Sequence, residues 1–326
     1  MKLYPLKFNP ILRAMIWGGN DICHFKDITP VEAGIGESWE ISDVENSLSV
    51  VSNGELQGKT LADVIALSGA ELLGNHVIER FGTKFPLLIK FIDAANDLSI
   101  QVHPDDELAM KRHNSFGKTE MWYVIHAREG AGLYSGFSQE ITPEEYVDRV
   151  EKNTFMDVLK RYEVKAGDVF FLPAGRVHAI GSGLFIAEIQ QTSDVTYRIY
   201  DYNRRDKDGN RRELHTELAK DAIDYHVEED YRTNYVAREN EAVDLVDCKY
   251  FHTNFLELTE SFTREVKPLD SFVIYICMEG GATMKDSDGN ELIVKQGESI
   301  LIPASTGSLE IVPTGSVKMM EVYIPE

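Results

Sequence analysis

The fold is indicated first by an eleven-residue stretch in the middle of the chain, Val164-Lys-Ala-Gly-Asp-Val-Phe-Phe-Leu-Pro-Ala174. A second copy follows without gaps 130 residues later, Val294-Lys-Gln-Gly-Glu-Ser-Ile-Leu-Ile-Pro-Ala304, and seven of the eleven positions are identical or similar in type. In each copy Gly and an acidic residue favour a turn, the following residues favour a strand, and Pro-Ala ends it. An accidental match between two Gly-acidic turns is the alternative. The repeat predicts two related β-barrels in tandem.

The rest of the chain predicts a mainly β protein with helical insertions in its N-terminal half. Short β-branched and aromatic runs recur between turn residues, and helical spacing or helix-start signals occur at residues 60–81, 104–113 and 142–162. Residues 203–213 are dense in charge and are expected to form a solvated loop. We place a domain boundary near residue 240, which divides the chain into a first β-barrel domain, 1–240, that carries the helical insertions and a second one, 241–326.

Composition excludes several classes of protein. The chain has 326 residues, 43% of them apolar, and a formal net charge of −21, which opposes binding to nucleic acid or to an anionic membrane. A small phosphorylated substrate stays possible, because a few cations dominate the field inside a cleft. The three cysteines follow no paired spacing, and there is neither a membrane-length apolar run nor an apolar signal core. We expect a cytoplasmic protein, and no sequence feature specifies an oligomeric state.

Four residues at predicted strand ends form a candidate metal site. Gln101 and His103 are two apart in a strand and so face the same way, and Pro104 ends that strand. Glu120 begins an aromatic strand where an unpaired carboxylate is costly, and His178 follows the first repeat copy, near the mouth of a barrel. Each residue alone has an ordinary structural explanation. Together they form a nitrogen and oxygen site suited to zinc, iron, manganese or nickel.

Three charged residues accompany this site. Lys118 shares a strand face with Glu120, Glu188 lies within an apolar strand, and Arg198 lies on a further strand. Structural ion pairs are the alternative explanation for Glu188 and Arg198.

Six motifs in order resemble the type I mannose-6-phosphate isomerases of the cupin superfamily, in their short bacterial form. The motifs are Trp17-Gly-Gly19, Gly36-Glu-Ser-Trp-Glu40, Phe85-Pro-Leu-Leu-Ile-Lys90, Ser99-Ile-Gln-Val-His-Pro-Asp-Asp106, Gly117-Lys-Thr-Glu120 and Ala166-Gly-Asp-Val-Phe-Phe-Leu-Pro-Ala-Gly175. The resemblance covers almost the whole chain and implies tandem cupin-type (jelly-roll) barrels, with residues 1–240 as a catalytic metal-binding domain. The second domain, 241–326, is expected to be metal-free, because Ser308 stands where the first repeat copy has His178. The resemblance implies one zinc ion per chain on Gln101, His103, Glu120 and His178, with Gln101 the ligand that water replaces most readily. It also implies an active-site Arg198 and a substrate pocket that contains Trp17, Glu37, Ser99, Lys118 and Glu188.

The resemblance implies interconversion of mannose 6-phosphate and fructose 6-phosphate through an enediol intermediate. That reaction needs a base, for which Glu188, Lys118 and a zinc-bound water are candidates and Glu188 is favoured. Arg198 and Lys118 suit the charge of the enediolate or the phosphate. The alternatives are another cupin metalloenzyme, such as an oxygenase, and a sugar-binding module that keeps a structural metal.

Overall fold

The computed structural model describes residues 2–205 and 208–326, and these are mainly β. The strands are β1 (Leu6–Asn9), β2 (Ile11–Gly19), β3 (Ile35–Ile41), β4 (Asp43–Val44), β5 (Ser47–Leu48), β6 (Val50–Val51), β7 (Leu87–Ala94), β8 (Ile100–Val102), β9 (Glu120–Ala127), β10 (Gly132–Phe137), β11 (Leu159–Glu163), β12 (Val169–Leu172), β13 (His178–Ile180), β14 (Leu184–Gln191), β15 (Tyr197–Tyr200), β16 (Arg232–Thr233), β17 (Ala242–Cys248), β18 (Phe251–Leu258), β19 (Phe262–Glu265), β20 (Val273–Asp286), β21 (Glu291–Lys295), β22 (Ser299–Ile302) and β23 (Ser308–Tyr323). The α-helices are α1 (Asp21–Phe25), α2 (Leu61–Ser68), α3 (Ala70–Leu73), α4 (Asn75–Phe81), α5 (Asp106–His113), α6 (Pro143–Glu151) and α7 (Thr216–Ala222), and 3₁₀ turns cover Phe155–Val158 and Lys267–Leu269. No helix within the described residues is long and apolar enough to cross a membrane.

Two antiparallel sheets of the N-terminal part face each other. One has the strand order β16-β12-β9-β14-β7-β2-β3 and the other β11-β10-β13-β8-β15. Trp122 and Phe170 from the first sheet and Leu133 and Ile180 from the second lie in one buried cluster, so the sheets form a sandwich with a shared apolar interior. The ends of β8, β9 and β13 meet at one edge of this interior.

The third large sheet is built mostly from the C-terminal part. Its strand order is β17-β18-β23-β20-β22-β1-β6, with β19 and β21 paired at its side. The first strand of the chain therefore lies in this sheet, where Leu6 is opposite Leu301. Leu6, Met121, Phe272 and Met320 belong to one buried cluster, so the N-terminal and C-terminal parts share a core.

The repeated stretch forms the same turn and strand in both copies, as predicted. Asp168 N–H donates to the Lys165 carbonyl at 3.1 Å in the first copy, and Glu298 N–H donates to the Lys295 carbonyl at 3.0 Å in the second. β12 and β22 follow directly. The acidic side chain closes the turn in both cases, since Asp168 and Glu298 each accept the N–H three residues earlier.

Two predicted helices have different bounds from those expected. The helix over 60–81 is wrong as a single element, because Gly69 and Gly74 take positive φ values of 49° and 97° and divide it into α2, α3 and α4. The helix over 142–162 starts as predicted, with Thr142 Oγ1 accepting the Glu145 N–H, but it ends at Glu151. The residues beyond it form a 3₁₀ turn and then β11, because Leu159–Glu163 pairs with β10. Helix α5 matches the prediction for 104–113 within two residues.

Candidate active site

Strand register brings the predicted metal ligands together. His178 begins β13 and lies directly opposite Gln101 of β8, and His103 follows the end of β8. Glu120 begins β9, between Leu172 of β12 and Gln190 of β14. The two facing sheets thus each supply part of one site. Short strands that end together explain why residues 75 positions apart in the chain, His103 and His178, become neighbours.

The three ligand atoms are within coordinating reach of one centre. His178 Nε2 lies 3.2 Å from Glu120 Oε1, and His103 Nε2 lies 3.5 Å from Glu120 Oε2. The ligand atoms of His103, Glu120 and His178 all lie within 4.8 Å of one another, and all three residues are buried. Within the described part of the chain, no other group of three His, Cys, Asp or Glu residues has this geometry.

Both imidazoles are oriented from outside the cluster. His103 Nδ1 lies 2.9 Å from the Val195 carbonyl and His178 Nδ1 lies 2.8 Å from the Arg176 carbonyl. A carbonyl only accepts, so each Nδ1 carries the proton and each Nε2 lone pair faces inward. Burial lowers the pKa of His178 to about 3, and burial together with Lys118 and His178 lowers that of His103 well below its usual range. Both rings are therefore neutral near pH 7, which is the form that binds a metal.

The surroundings of the Glu120 carboxylate fit a bound metal ion. Its side chain has no solvent exposure, and neither oxygen has a hydrogen-bond partner among the described residues. Lys118 Nζ lies 3.0 Å from Oε2, an ionic contact outside hydrogen-bonding geometry. Burial, with the nearby Glu188 charge, raises the pKa of Glu120 to about 7. A buried carboxylate that accepts no hydrogen bond and lies between two inward-facing lone pairs fits a divalent cation.

Gln101 lies beside this cluster with its amide nitrogen toward it. Gln101 Nε2 is 3.3 Å from His178 Nε2, and Ser99 Oγ is 3.5 Å from Gln101 Oε1. A half-turn of the side-chain amide exchanges the positions of its oxygen and its nitrogen. That half-turn would bring Oε1 to the cluster as a neutral ligand.

A cavity of about 160 Å³ opens next to the cluster and contains the other predicted site residues. Its lining includes Trp17, Glu37, Ser99, Gln101, Lys118, Glu188 and Arg198. Lys118 joins the cavity to the cluster, because its Nζ lies 3.1 Å from His103 Nε2.

Glu188 is held as a charged carboxylate at the wall of the cavity. Its Oε1 accepts from Lys90 Nζ at 3.0 Å and its Oε2 from Trp122 Nε1 at 2.8 Å. Burial alone would raise the pKa of Glu188, but the charges of Lys90 and Lys118 outweigh burial and hold it at about 2. Burial opposes the charge on Lys90 in turn, yet Glu188 and Glu37 raise its pKa.

The structure brings further residues to the predicted site, among them Lys90, Trp39 and Arg212, which all line the cavity. Trp39 Nε1 donates to Glu37 Oε2 at 2.7 Å, and its ring lies 3.6 Å from the Arg13 guanidinium carbon. A lysine in the otherwise apolar run Leu87–Ile92 was a usable signal for Lys90, because a buried ammonium needs a partner. Arg212 lies in the segment that is expected to be solvated, so no sequence feature marks it as a residue of the site.

Known proteins resemble this chain over nearly its whole length. Residues 6–130 match the model of the phosphomannose isomerase type I catalytic domain, and residues 241–324 match the mannose-6-phosphate isomerase cupin domain. The chain is 35% identical over 319 residues to mannose-6-phosphate isomerase ManA of Bacillus subtilis (strain 168), covering 95% of this chain and 96% of that protein. It is 41% identical over 220 residues to mannose-6-phosphate isomerase of Streptococcus mutans, covering 67% of each.

Solved structures show the same fold. The crystal structure of mannose 6-phosphate isomerase from Bacillus subtilis superimposes with a TM-score of 0.86 at 30% identity, covering 98% of this chain and 99% of that chain. A variant of phosphomannose isomerase from Salmonella typhimurium superimposes with a TM-score of 0.81 at 17% identity, covering 99% of this chain and all of that chain. At that identity the likeness concerns the fold alone.

Proposed function

Because the chain belongs to the mannose-6-phosphate isomerase family, we propose that it interconverts mannose 6-phosphate and fructose 6-phosphate through an enediol or enediolate. The observation that carries the proposal is the buried His103, Glu120 and His178 cluster beside a cavity whose charged side chains are Lys90, Lys118, Arg198 and Arg212 against Glu37, Glu188 and Asp194. The substrate is a small phosphorylated hexose, whose phosphate suits the basic side chains.

We propose one zinc ion per chain, held by His103, Glu120 and His178 and by Gln101 after its amide turns. Two imidazoles and a carboxylate are a common ligand set for catalytic zinc. When bound, the ion supplies a Lewis acid close to the sugar oxygens that gain charge during the reaction.

The side chains around the cavity complete the proposed chemistry. Lys118 and Arg198 place positive charge where an enediolate oxygen develops negative charge. Trp17, Glu37 and Ser99 form the walls that contact the sugar. Trp17 and Ser99 are 2% and 3% exposed, so the surrounding packing holds these two walls in place.

Proton transfer between C1 and C2 is assigned to Lys118 in preference to Glu188. Both Glu188 oxygens already accept hydrogen bonds, and its pKa of about 2 makes it a weak base. Lys118 Nζ lies beside the metal ligands, where C1 and C2 would be held, and as the neutral amine it would take the proton from one carbon and return it to the other. Glu188 then acts as the fixed negative charge that orients Lys90 and compensates the cavity cations.

The proposal includes the wider architecture. Residues 1–240 form the catalytic cupin-type barrel and residues 241–326 a second one without a metal, although β1 and β6 extend the second sheet. The free Cys23, Cys248 and Cys277 support a cytoplasmic location, because thiols stay reduced there.

The test measures isomerisation and metal content on the same sample. We expect wild-type protein to convert mannose 6-phosphate to fructose 6-phosphate, a chelator to stop the reaction, and zinc to restore it. His103→Ala, His178→Ala and Glu120→Gln should each lower kcat/KM on the order of a thousandfold, which corresponds to losing about 4 kcal/mol of transition-state stabilisation.

The matched control is His126→Ala, on the same strand as Glu120 but exposed. It should keep wild-type activity and metal content. Full activity of metal-free protein, or of His103→Ala, would contradict the proposed metal centre. Absence of isomerisation in the zinc-loaded wild type would contradict the proposed reaction.

A further inference from the structure

Arg212 enters the cavity from a segment outside the helices and strands. It lines the cavity together with Arg198 and Thr196. Arg212 Nε donates to Asp201 Oδ2 at 2.8 Å and its second terminal nitrogen donates to Asp201 Oδ1 at 2.5 Å. Asp201 follows β15 directly and is only 5% exposed. This two-point contact fixes the plane of the guanidinium.

Positive charge is in excess around Asp201. Arg204 and Arg212 both pair with this one carboxylate. Arg198 donates to the Glu213 carbonyl at 3.0 Å, and its Nε is buried without a partner among the described residues. Burial and the nearby charge of Arg212 lower the pKa of Arg198, which shows that the two like charges are close. An anion placed between them would relieve both the repulsion and the unpaired N–H.

Strand register places Arg198 beside the predicted metal ligands, because it is directly opposite Gln101 in the pairing of β15 with β8. Arg212 lines the same cavity as Arg198 and Gln101. A hexose phosphate carries its reacting carbons at one end and its phosphate at the other, and a cavity lined by a predicted metal ligand and by two arginines offers contacts to both ends.

We propose that Arg212 determines specificity by binding the phosphate of the substrate, while Asp201 holds its guanidinium in position. This inference rests on the proposed function. It also accounts for how a chain of net charge −21 attracts a dianionic substrate, because the arginines concentrate positive potential at the cavity.

The first arm of the test compares Arg212→Gln, Arg212→Lys and the control Arg211→Gln, whose side chain is exposed next to Arg212. Loss of a charge-assisted contact should raise the KM of Arg212→Gln for mannose 6-phosphate by about tenfold to a hundredfold. Its kcat should stay within about threefold of wild type, since the lost contact is the same in ground and transition states. Arg212→Lys should recover part of the KM, and Arg211→Gln should match wild type.

The second arm needs no catalysis and uses inorganic phosphate alone. Phosphate should raise the Tm of the wild type and of Arg211→Gln, and it should raise that of Arg212→Gln clearly less. An active wild type with unchanged KM and unchanged phosphate stabilisation in Arg212→Gln would overturn the role of Arg212. If wild-type protein does not isomerise the sugar, the proposed function fails, and the phosphate arm still decides whether Arg212 binds an anion.

Discussion

Individual residues of the site could be predicted from the sequence where strand geometry alone fixes their direction. His103, Glu120 and His178 were predicted together because each stands at a strand end, and the structure brings their ligand atoms within 4.8 Å. Trp39 donates its ring N–H to Glu37, two positions earlier on the same strand, so strand alternation was a usable signal for that pair. Arg212 could not be predicted, because its position depends on Asp201, eleven positions earlier, and no regular element contains both residues.

The division of roles between Glu188 and Lys118 leads to a prediction at this scale. Substrate deuterated at C2 should lose its label to solvent on zinc-loaded Glu188→Gln slowly but measurably, because the proposed base is still present. Lys118→Met should lose exchange on the order of a hundredfold to ten-thousandfold, as expected for removal of a general base. The measurement is label loss by NMR, with metal content checked in both variants.

Glu188→Gln leaves the buried Lys90 ammonium without its partner, so this substitution needs a control. Lys90→Met with Glu188→Gln removes the buried pair as a whole and avoids an uncompensated ammonium. Exchange in that double variant should resemble that of Glu188→Gln. Undiminished exchange in Lys118→Met, with none in Glu188→Gln, would return the base assignment to Glu188.

Secondary-structure elements were predictable where local sequence determined them. The turn and strand of the repeat formed in both copies, because the acidic side chain accepts a nearby N–H. The prediction of a single helix over residues 60–81 is wrong. The helical spacing of apolar residues continues through Gly69 and Gly74, but the helical backbone is interrupted at both glycines. Asp270, from the C-terminal part, accepts the N–H groups of Asn75 and His76 at 3.0 Å each and thereby starts α4. A local sequence pattern cannot predict a helix cap that comes from a residue 195 positions later in the chain.

Gly74 should therefore tolerate substitution far less than other helix-end glycines. A Cβ there would lie 1.7 Å from the Asp270 carbonyl oxygen, whereas a Cβ at Gly82 would meet nothing within 4 Å. Both residues have positive φ, 97° and 64°, so each Ala variant pays about 1–3 kcal/mol in backbone strain. Gly74→Ala must also displace the Asp270 segment and should lose more than about 4 kcal/mol in all. Urea denaturation of the two variants measures this difference, and equal losses would show that the Asp270 contact contributes nothing.

The whole molecule is joined more closely than a chain divided near residue 240 suggests. β1 pairs with β22 at one side and β6 at the other, so the third sheet depends on both ends of the sequence. The rings of Phe85 and Phe272 also pack at 4.6 Å between centroids. Sequence patterns could not predict this connection, because Leu6–Asn9 is an ordinary short apolar strand with no sign of its partner.

The shared core predicts that the two parts unfold together. All three tryptophans, Trp17, Trp39 and Trp122, lie in the N-terminal part, so their fluorescence reports on that part alone. Leu256→Ala removes a fully buried side chain from a cluster made only of C-terminal residues and should destabilise the protein by about 2–5 kcal/mol.

In one cooperative unit, the tryptophan transition in urea should shift to lower denaturant by the same amount as the transition seen by circular dichroism. Ile293→Ala, at a side chain 59% exposed in the C-terminal part, should shift neither transition. A tryptophan midpoint that stays at its wild-type value in Leu256→Ala would mean that the catalytic part folds independently. The shared strand and core argue that the tryptophan midpoint will shift together with the midpoint seen by circular dichroism. In that case the stability of the sheet built mostly from the C-terminal part sets the denaturant range over which the metal site remains assembled.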